Sequence, residues 1–109
     1  MDFSSDTPTI ELPLETTITK VVTRSGLQIL IPNMDPEIIG QKLDRGEVFT
    51  ASGVVMSSHW SNPMENGLID PTHIEVVYPV HQQAISNPKI RQKLRRIIDG
   101  EGQNEDIDF

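Results

Sequence analysis

Five basic residues within ten positions are the densest group of chemically active side chains in the sequence. They lie in the segment NPKIRQKLRRIIDGEGQNEDIDF, directly before an acidic tail. Ammonium and guanidinium groups at this density suit carboxylates or phosphates as ligands. The residues predicted to contact a partner or phosphates are Lys89, Arg91, Lys93, Arg95 and Arg96.

The segment that carries these cations is predicted to be an amphipathic helix. Asn87 is a favourable N-cap, Pro88 suits the first helical position and Gly100 suits the end. At 100° per residue the apolar side chains cover an arc of about 100°, and the cations lie on the remaining arc. The apolar positions are Ile90, Leu94, Ile97 and Ile98. The helix can therefore pack on a sheet and present a cationic surface, or be a solvated helix whose late cations favour its dipole.

Charge is divided sharply along the chain, whose formal net charge is −7. Residues 1–88 carry eleven acids and four bases, residues 89–98 carry five bases, and residues 99–109 carry five acids. An acidic body repels a phosphate backbone, which favours a protein partner over nucleic acid. Because Gly100 and Gly102 join the two end segments, we expect the tail to fold transiently over the basic helix.

Three histidines and several carboxylates invite a metal or acid-base interpretation. His73 and Glu75 share one face of a strand with His81, and His59 ends an earlier strand. That face lies opposite an apolar stripe, so a solvated surface is the simpler interpretation. The sequence has no nucleophile elbow, phosphate-binding loop or dinucleotide fingerprint. It therefore predicts a protein that is not an enzyme and that holds no metal and no cofactor.

Aromatic side chains are few, and Trp60 is the one most suited to recognition. It follows His59 at a strand end, directly before a polar loop. Two interpretations remain open. Trp60 is either an exposed contact residue or a partly buried anchor for that loop.

The remaining elements predict an α+β domain with a small, mainly antiparallel sheet, a short middle helix and the C-terminal basic helix. Ile10, Leu12 and Leu14 alternate in an edge strand or extended arm. A β-hairpin with arms near 16–24 and 27–31 turns at Ser25-Gly26.

The middle of the chain continues this pattern. The middle helix begins at Pro36 after an Asp35 cap and stops at Gly46. Residues 47–60 form a strand with a bulge at Gly53, residues 61–71 form a loop, and residues 73–81 form a strand. The face of that last strand predicted to be core carries Ile74, Val76, Tyr78 and Val80.

The segment TITKVVTRSGLQILIPNMDPEIIGQKLDRGEVF resembles the AbrB-type transition-state regulators and related antitoxins in its order of strand, glycine turn, strand, helix and strand. The matching residues are Gly26, Ile31, Pro32, Leu43 and Gly46. The resemblance implies a swapped-hairpin barrel that binds DNA as a dimer.

The tail EGQNEDIDF resembles the acidic C-terminal tip of bacterial and phage single-stranded DNA-binding proteins. The matching residues are Asp106, Ile107, Asp108 and Phe109. The resemblance implies a peptide that docks on other proteins and competes with DNA for a basic surface. A disordered acidic terminus is the alternative.

These observations predict residues 1–8 as a flexible leader, residues 9–100 as a single domain and residues 101–109 as a flexible acidic tail. With no cysteine, no secretion signal and no membrane span, the protein is expected in the cytoplasm. The predicted function is a small protein-interaction module, an adaptor or regulatory subunit, that forms homo-oligomers. The alternative is a nucleic-acid-associated regulator, AbrB-like or similar to single-stranded-DNA-binding proteins, that contacts phosphates through the basic helix.

Overall fold

The part of the chain that the structure describes folds into five strands and two helices. A computed structural model of the protein describes residues 11–13 and 16–101, and the predicted leader and the acidic tail from residue 102 lie outside this range. The sheet is formed by β1 (Ile18–Thr23), β2 (Gln28–Pro32), β3 (Phe49–Met56), β4 (Ser61–Ile69) and β5 (Ile74–Val80). The helices are α1 (Pro36–Arg45) and α2 (Pro88–Arg96). Short 3₁₀ turns occupy Pro71–His73 and Gln82–Ala84, and a π-helical turn, Ile97–Glu101, extends α2.

All five strands belong to one antiparallel sheet in the order β4-β3-β2-β1-β5. This confirms the predicted α+β class with a middle helix and a C-terminal helix. The arrangement differs from the swapped-hairpin barrel that the AbrB-type resemblance implies, because β1 and β2 pair with each other inside one five-stranded sheet. None of the described helices is long and apolar enough to cross a membrane.

The turns and helix ends form where the sequence predicts them. Gly26 adopts a φ of 95° in the β1–β2 turn, a conformation that costs glycine little. Gly46 ends α1 with a φ of 66°, and its N–H bonds to carbonyls of the last turn. Asp35 precedes α1 in an extended conformation, but its side chain makes no cap hydrogen bond.

The predicted loop over residues 61–71 is wrong, because most of it forms β4. Pro63 and the pair Asn66-Gly67 have turn chemistry, yet β4 pairs with β3 along most of its length. The register between β3 and β4 shifts between Ala51 and Gly53, next to the predicted bulge. The extra residue lies in β4 and not in β3, because Ala51 pairs with Gly67 whereas Gly53 pairs with Met64. Pairing with a buried neighbour outweighs local turn preference in this edge strand.

The predicted core face of β5 is also partly wrong. Val76 and Tyr78 are exposed, whereas Val77, from the opposite face, packs with Ile74 against the core. The register between β1 and β5 shifts near Thr23, which pairs with Ile74 although Val22 pairs with Val76. One extra residue in β5 thus moves Ile74 to the other face of the sheet.

The sheet is strongly curled. β4 ends beside the start of β3, since Ile69 pairs with Phe49, whereas β5 begins beside the end of β1, since Ile74 pairs with Thr23. Five Cα–Cα steps span at most about 19 Å, which equals about four interstrand spacings. β1 and β3 run in the same direction, since both are antiparallel to β2, so the start of β3 and the end of β1 lie at opposite ends of the sheet. In a flat sheet the link would have to cross four interstrand spacings and also run the length of the strands, which its five steps cannot span. The two edges of the sheet must therefore approach each other at this link.

The curl creates two separate cores. The concave core collects side chains from every strand together with Ile39 of α1: Val21, Ile29, Ile31, Phe49, Ala51, Ile69 and Ile74. The convex core joins the outer face of the sheet to α2 through Leu12, Ile18, Leu30, Val54, Ile85, Leu94 and Ile97. The apolar face predicted for the basic helix is confirmed, because Leu94 and Ile97 are buried and Ile90 and Ile98 pack beside them.

Candidate binding groove

Helix α2 begins where the sequence predicts. Asn87 has an extended backbone, and its side-chain oxygen accepts a hydrogen bond of 2.9 Å from the Lys89 N–H. Pro88 occupies the first turn, where a missing N–H costs nothing. The α-helical part ends at Arg96 and passes into the π-helical turn, so the change in helix type precedes the predicted stop at Gly100. These features fix the direction of α2 and hence the placement of its cations.

Arg91 is half-buried and holds the segment that leads into α2. Its Nη1 donates to the carbonyl oxygens of Gln82 at 2.8 Å and Ile85 at 2.9 Å. These two carbonyls belong to the connection between β5 and α2. Arg91 therefore ties the helix to the preceding chain.

Lys93 and Arg95 also bond to other parts of the chain. The Lys93 ammonium donates to the carbonyl and the hydroxyl of Ser61, both at 2.8 Å. Arg95 bonds to the Asp99 carboxylate at 3.1 Å and to the Glu11 carbonyl at 2.6 Å. Three of the five predicted contact cations thus have intramolecular bonds. Lys89 and Arg96 are exposed and have no such bond within the part of the chain that the structure describes.

A groove of about 810 Å³ lies at the end of the sheet where α2 begins. Three segments line it: the β1–β2 turn at residues 25–28, the β3–β4 turn at residues 56–61, and the first two turns of α2. Helix α2 contributes Asn87, Lys89, Ile90 and Lys93. Its volume falls within the range usual for ligand sites, about 300–1,000 Å³.

The electrostatics of this groove differ from those of the protein as a whole. The charged side chains that line it are Lys89 and Lys93, and no carboxylate is among its described lining residues. The whole chain, by contrast, has a formal charge of −7. A concave site with one sign of charge focuses the field and attracts ligands of opposite sign. The groove is therefore suited to an anionic ligand.

Trp60 gives the groove an apolar wall. Its side chain is 45% exposed, and the wall continues into Ile90 and Met56. The backbone around it is fixed, because the Ser57 N–H bonds to the Trp60 carbonyl at 2.9 Å and the His59 N–H bonds to the Ser57 hydroxyl at 3.2 Å. An exposure of 45% is compatible with both interpretations of Trp60, because part of the side chain is buried and part is accessible from the groove.

Asp70, Thr72 and His73 form a local hydrogen-bonded turn before β5. The Asp70 carboxylate accepts bonds from the Thr72 N–H at 3.0 Å and the Thr72 hydroxyl at 2.9 Å, with His73 4.0 Å away. The Thr72 backbone bond, then its hydroxyl bond and the nearby His73, lower the pKa of Asp70 below its usual value. No group of three His, Asp or Glu side chains within residues 11–13 and 16–101 could hold a metal ion.

The groove joins residues that sequence reasoning treated separately. Trp60 and the basic helix are both among the predicted contact elements, and the structure brings Trp60, Lys89 and Lys93 together. The serines of the two turns were not predicted, because nothing local distinguishes them from ordinary turn residues. The docking motif Asp106, Ile107, Asp108 and Phe109 lies outside the described residues. The sequence matches no family model, and the chain matches no curated protein and no solved structure.

Proposed function

We propose that this protein is a non-enzymatic protein-interaction module, an adaptor or regulatory subunit, whose groove binds an acidic segment of a partner protein. The observation that carries this proposal is a half-exposed tryptophan, Trp60, in a groove whose only charged lining residues are Lys89 and Lys93 among the residues described. A carboxylate would pair with the lysines while an apolar side chain packs on the indole. Tryptophan is also a residue type on which binding energy concentrates at interfaces.

Lys93 uses most of its hydrogen-bond donors within the chain, so the two lysines have different roles. Its ammonium has three donors, and two bonds go to Ser61. Lys89 is exposed and retains its full donor set within the described chain. Lys89 is therefore the lysine expected to pair with a carboxylate of the ligand and to select an acidic ligand over a neutral one. Lys93 holds the β3–β4 turn that carries Trp60 in place.

A second candidate function is binding of single-stranded nucleic acid, because Trp60 beside lysines resembles a stacking site. Two observations favour protein. The acidic body of the chain repels phosphates, and Arg91 and Arg95 already bond to the chain itself. With Lys89 and Arg96 as the cations without such bonds, about two phosphates would be contacted, giving a salt dependence of slope about −1.4.

Fluorescence of Trp60 tests the proposal directly, because it is the single tryptophan of the chain. The probe is a short peptide of Asp and Glu with one central Phe, titrated at low and moderate salt. We expect a saturable change in emission with a Kd of about 10–100 µM, a value typical of a small transient contact. A second peptide with Ala in place of Phe, and a third with Asn and Gln in place of the acids, should both bind more weakly.

Matched charge reversals locate the site. Lys89→Glu is expected to weaken peptide binding at least about tenfold, since it replaces an attractive charge with a repulsive one. Arg45→Glu makes the same change at an exposed position on α1 and should leave binding unaltered. If the two variants weaken peptide binding equally, the groove is not the binding site. Binding of oligo(dT) with no binding of the peptide would replace this function with the nucleic-acid function.

A further inference from the structure

Among the described residues β5 has a partner strand on one side only, although helix α1 also contacts it. β5 pairs with β1 on its inner side, and no strand within residues 11–13 and 16–101 pairs with its outer side. Four of its seven residues are exposed. After the irregularity between Ile74 and Val76, the pairing of β5 with β1 is regular from Val76 to Val80. An unpaired edge of this kind is a template for another strand.

The convex side of this edge carries an apolar patch. Val76 is 44% exposed and Tyr78 is 39% exposed, and both stand beside Val22 and Lys20 of β1. The Lys20 ammonium lies 5.8 Å from the centre of the Tyr78 ring. Helix α2 packs over β3 and β4, on the other half of the sheet, and leaves this patch uncovered. Natural sheets protect their edges with charge, proline or bulges. β5 has Pro79 and an irregularity at Glu75, yet it leaves a valine and a tyrosine exposed between them.

We propose that β5 pairs antiparallel with β5 of a second copy of the chain, about a twofold axis at Val77. In this register Val77 lies opposite Val77 of the second copy. Val76 then lies opposite Tyr78 of the second copy, and Tyr78 lies opposite its Val76. The two exposed patches therefore meet as one apolar cluster, in which aromatic and β-branched residues form directly opposed pairs.

The charge pattern of β5 is compatible with pairing to a second copy of the same strand. Glu75 is the only charged residue in the strand IEVVYPV. In the twofold register it lies opposite Pro79 of the second copy, so no like charges face each other. An isologous interface needs this kind of self-complementarity, which an arbitrary peptide would not supply.

The backbone of β5 also fits. Pro79 has no N–H, and a proline in an edge strand turns its nitrogen to the open side. Val77 then presents its backbone groups outward as well, because these alternate along the regular part of the strand from Val76 to Val80. The two Val77 residues can therefore exchange both hydrogen bonds. Both edge strands contain a proline and a register shift. The shift in β5 lies at its first residues, before Val76, whereas the shift in β4 lies in its middle, where Asn66 has a φ of 52°, so β4 is the poorer template.

Solution mass tests the proposal first. Light scattering after size exclusion, on the full chain from about 5 to about 500 µM, should approach twice the chain mass of 12.2 kDa. The double variant Val76→Lys and Tyr78→Lys should halve the mass, since each lysine then faces another across the axis. Leu68→Lys, on exposed β4, is the matched control and should leave the mass unchanged. Circular dichroism of each variant verifies that it folds.

Cysteine cross-linking tests the register, because the chain has no cysteine of its own. Directly opposed residues in a hydrogen-bonded antiparallel pair have Cα atoms about 5.5 Å apart, within disulfide range. Val77→Cys should therefore form a covalent dimer on mild oxidation. Glu75→Cys and Leu68→Cys should not, since two Glu75 residues would lie about 14 Å apart.

Three results would overturn the proposal. A chain that remains monomeric at the highest concentration has no β5 interface. A mass that falls with Leu68→Lys, but not with the β5 double variant, assigns the contact to β4. Cross-linking of Glu75→Cys in preference to Val77→Cys shows a different register or a different partner surface.

Discussion

Substitution of Gly53 by alanine is expected to destabilise the fold by about 3–5 kcal/mol. Gly53 lies in β3 beside the register shift with β4. A Cβ atom there would press into the Leu30 carbonyl oxygen of β2 and lie 3.1 Å from the carbon of that carbonyl and 3.3 Å from the Ile31 Cα. All three atoms are backbone, so no rotamer change relieves the overlap. Overpacking costs about 1–3 kcal/mol. Separation of β2 from β3 weakens about two hydrogen bonds near Leu30 and Val54, at about 1 kcal/mol each.

Thermal unfolding measures this effect. For a domain of this size each kcal/mol shifts Tm by about 4–8 °C, so Gly53→Ala should lower Tm by at least about 12 °C. Gly40→Ala is the matched control, because Gly40 lies within α1 and a Cβ atom there would meet nothing within 4 Å. It should stabilise the protein by about 0.5–1 kcal/mol. A Gly53→Ala protein with unchanged Tm would refute the close approach of β2 and β3.

Three further outcomes follow from the packing and the hydrogen bonds. Leu94→Ala should cost about 3 kcal/mol in urea unfolding, since the side chain is fully buried in the convex core. Arg91→Lys should lower the free energy of unfolding by about 1–2 kcal/mol in the same assay, because the shorter lysine side chain cannot reach both carbonyl oxygens with its ammonium group. Because folding lowers the pKa of Asp70, its contribution to stability is present above its unfolded-state pKa and is lost as pH falls through the folded value. An NMR titration should place the Asp70 midpoint below the usual range, and Thr72→Val should raise it.

Each of these outcomes has a control in the same chain. Ile38→Ala removes an aliphatic side chain from an exposed site and should cost far less than Leu94→Ala. Arg96→Lys, at an exposed position of α2, should be nearly neutral. An Asp70 midpoint unaffected by Thr72→Val would show that the hydroxyl bond contributes nothing to the lowered pKa.

Local chemistry made part of the fold predictable. Gly26 and Gly46 adopt positive φ angles, the first in the β1–β2 turn and the second at the end of α1, where the sequence predicts a turn and a helix end. Asn87 caps α2, and Leu94 lies at the centre of the predicted apolar face. These features depend on interactions within a few residues, which the sequence displays directly.

The errors arose where distant residues decide the outcome. Residues 61–69 have the composition of a loop, but pairing with β3 makes them a strand. One bulge reversed the facing of Ile74 relative to Val76. The groove likewise depends on α2 lying beside the β3–β4 turn, which no local pattern specifies. The hydrogen bonds of Arg91 and Lys93 cannot be predicted from local sequence either, because each joins α2 to another part of the chain.

The separation of the two cores means that folding need not be a single event. Among the described residues, the buried side chains of the concave core come from the five strands, Met34 and α1, whereas those of α2 belong to the convex core. In hydrogen exchange, α2 would then open as a subglobal unit, at a lower free energy than the sheet. The groove loses one of its walls whenever α2 opens, since Lys89 and Ile90 leave with the helix. A ligand that binds only the closed groove would slow exchange in α2 and leave exchange in the centre of the sheet unchanged.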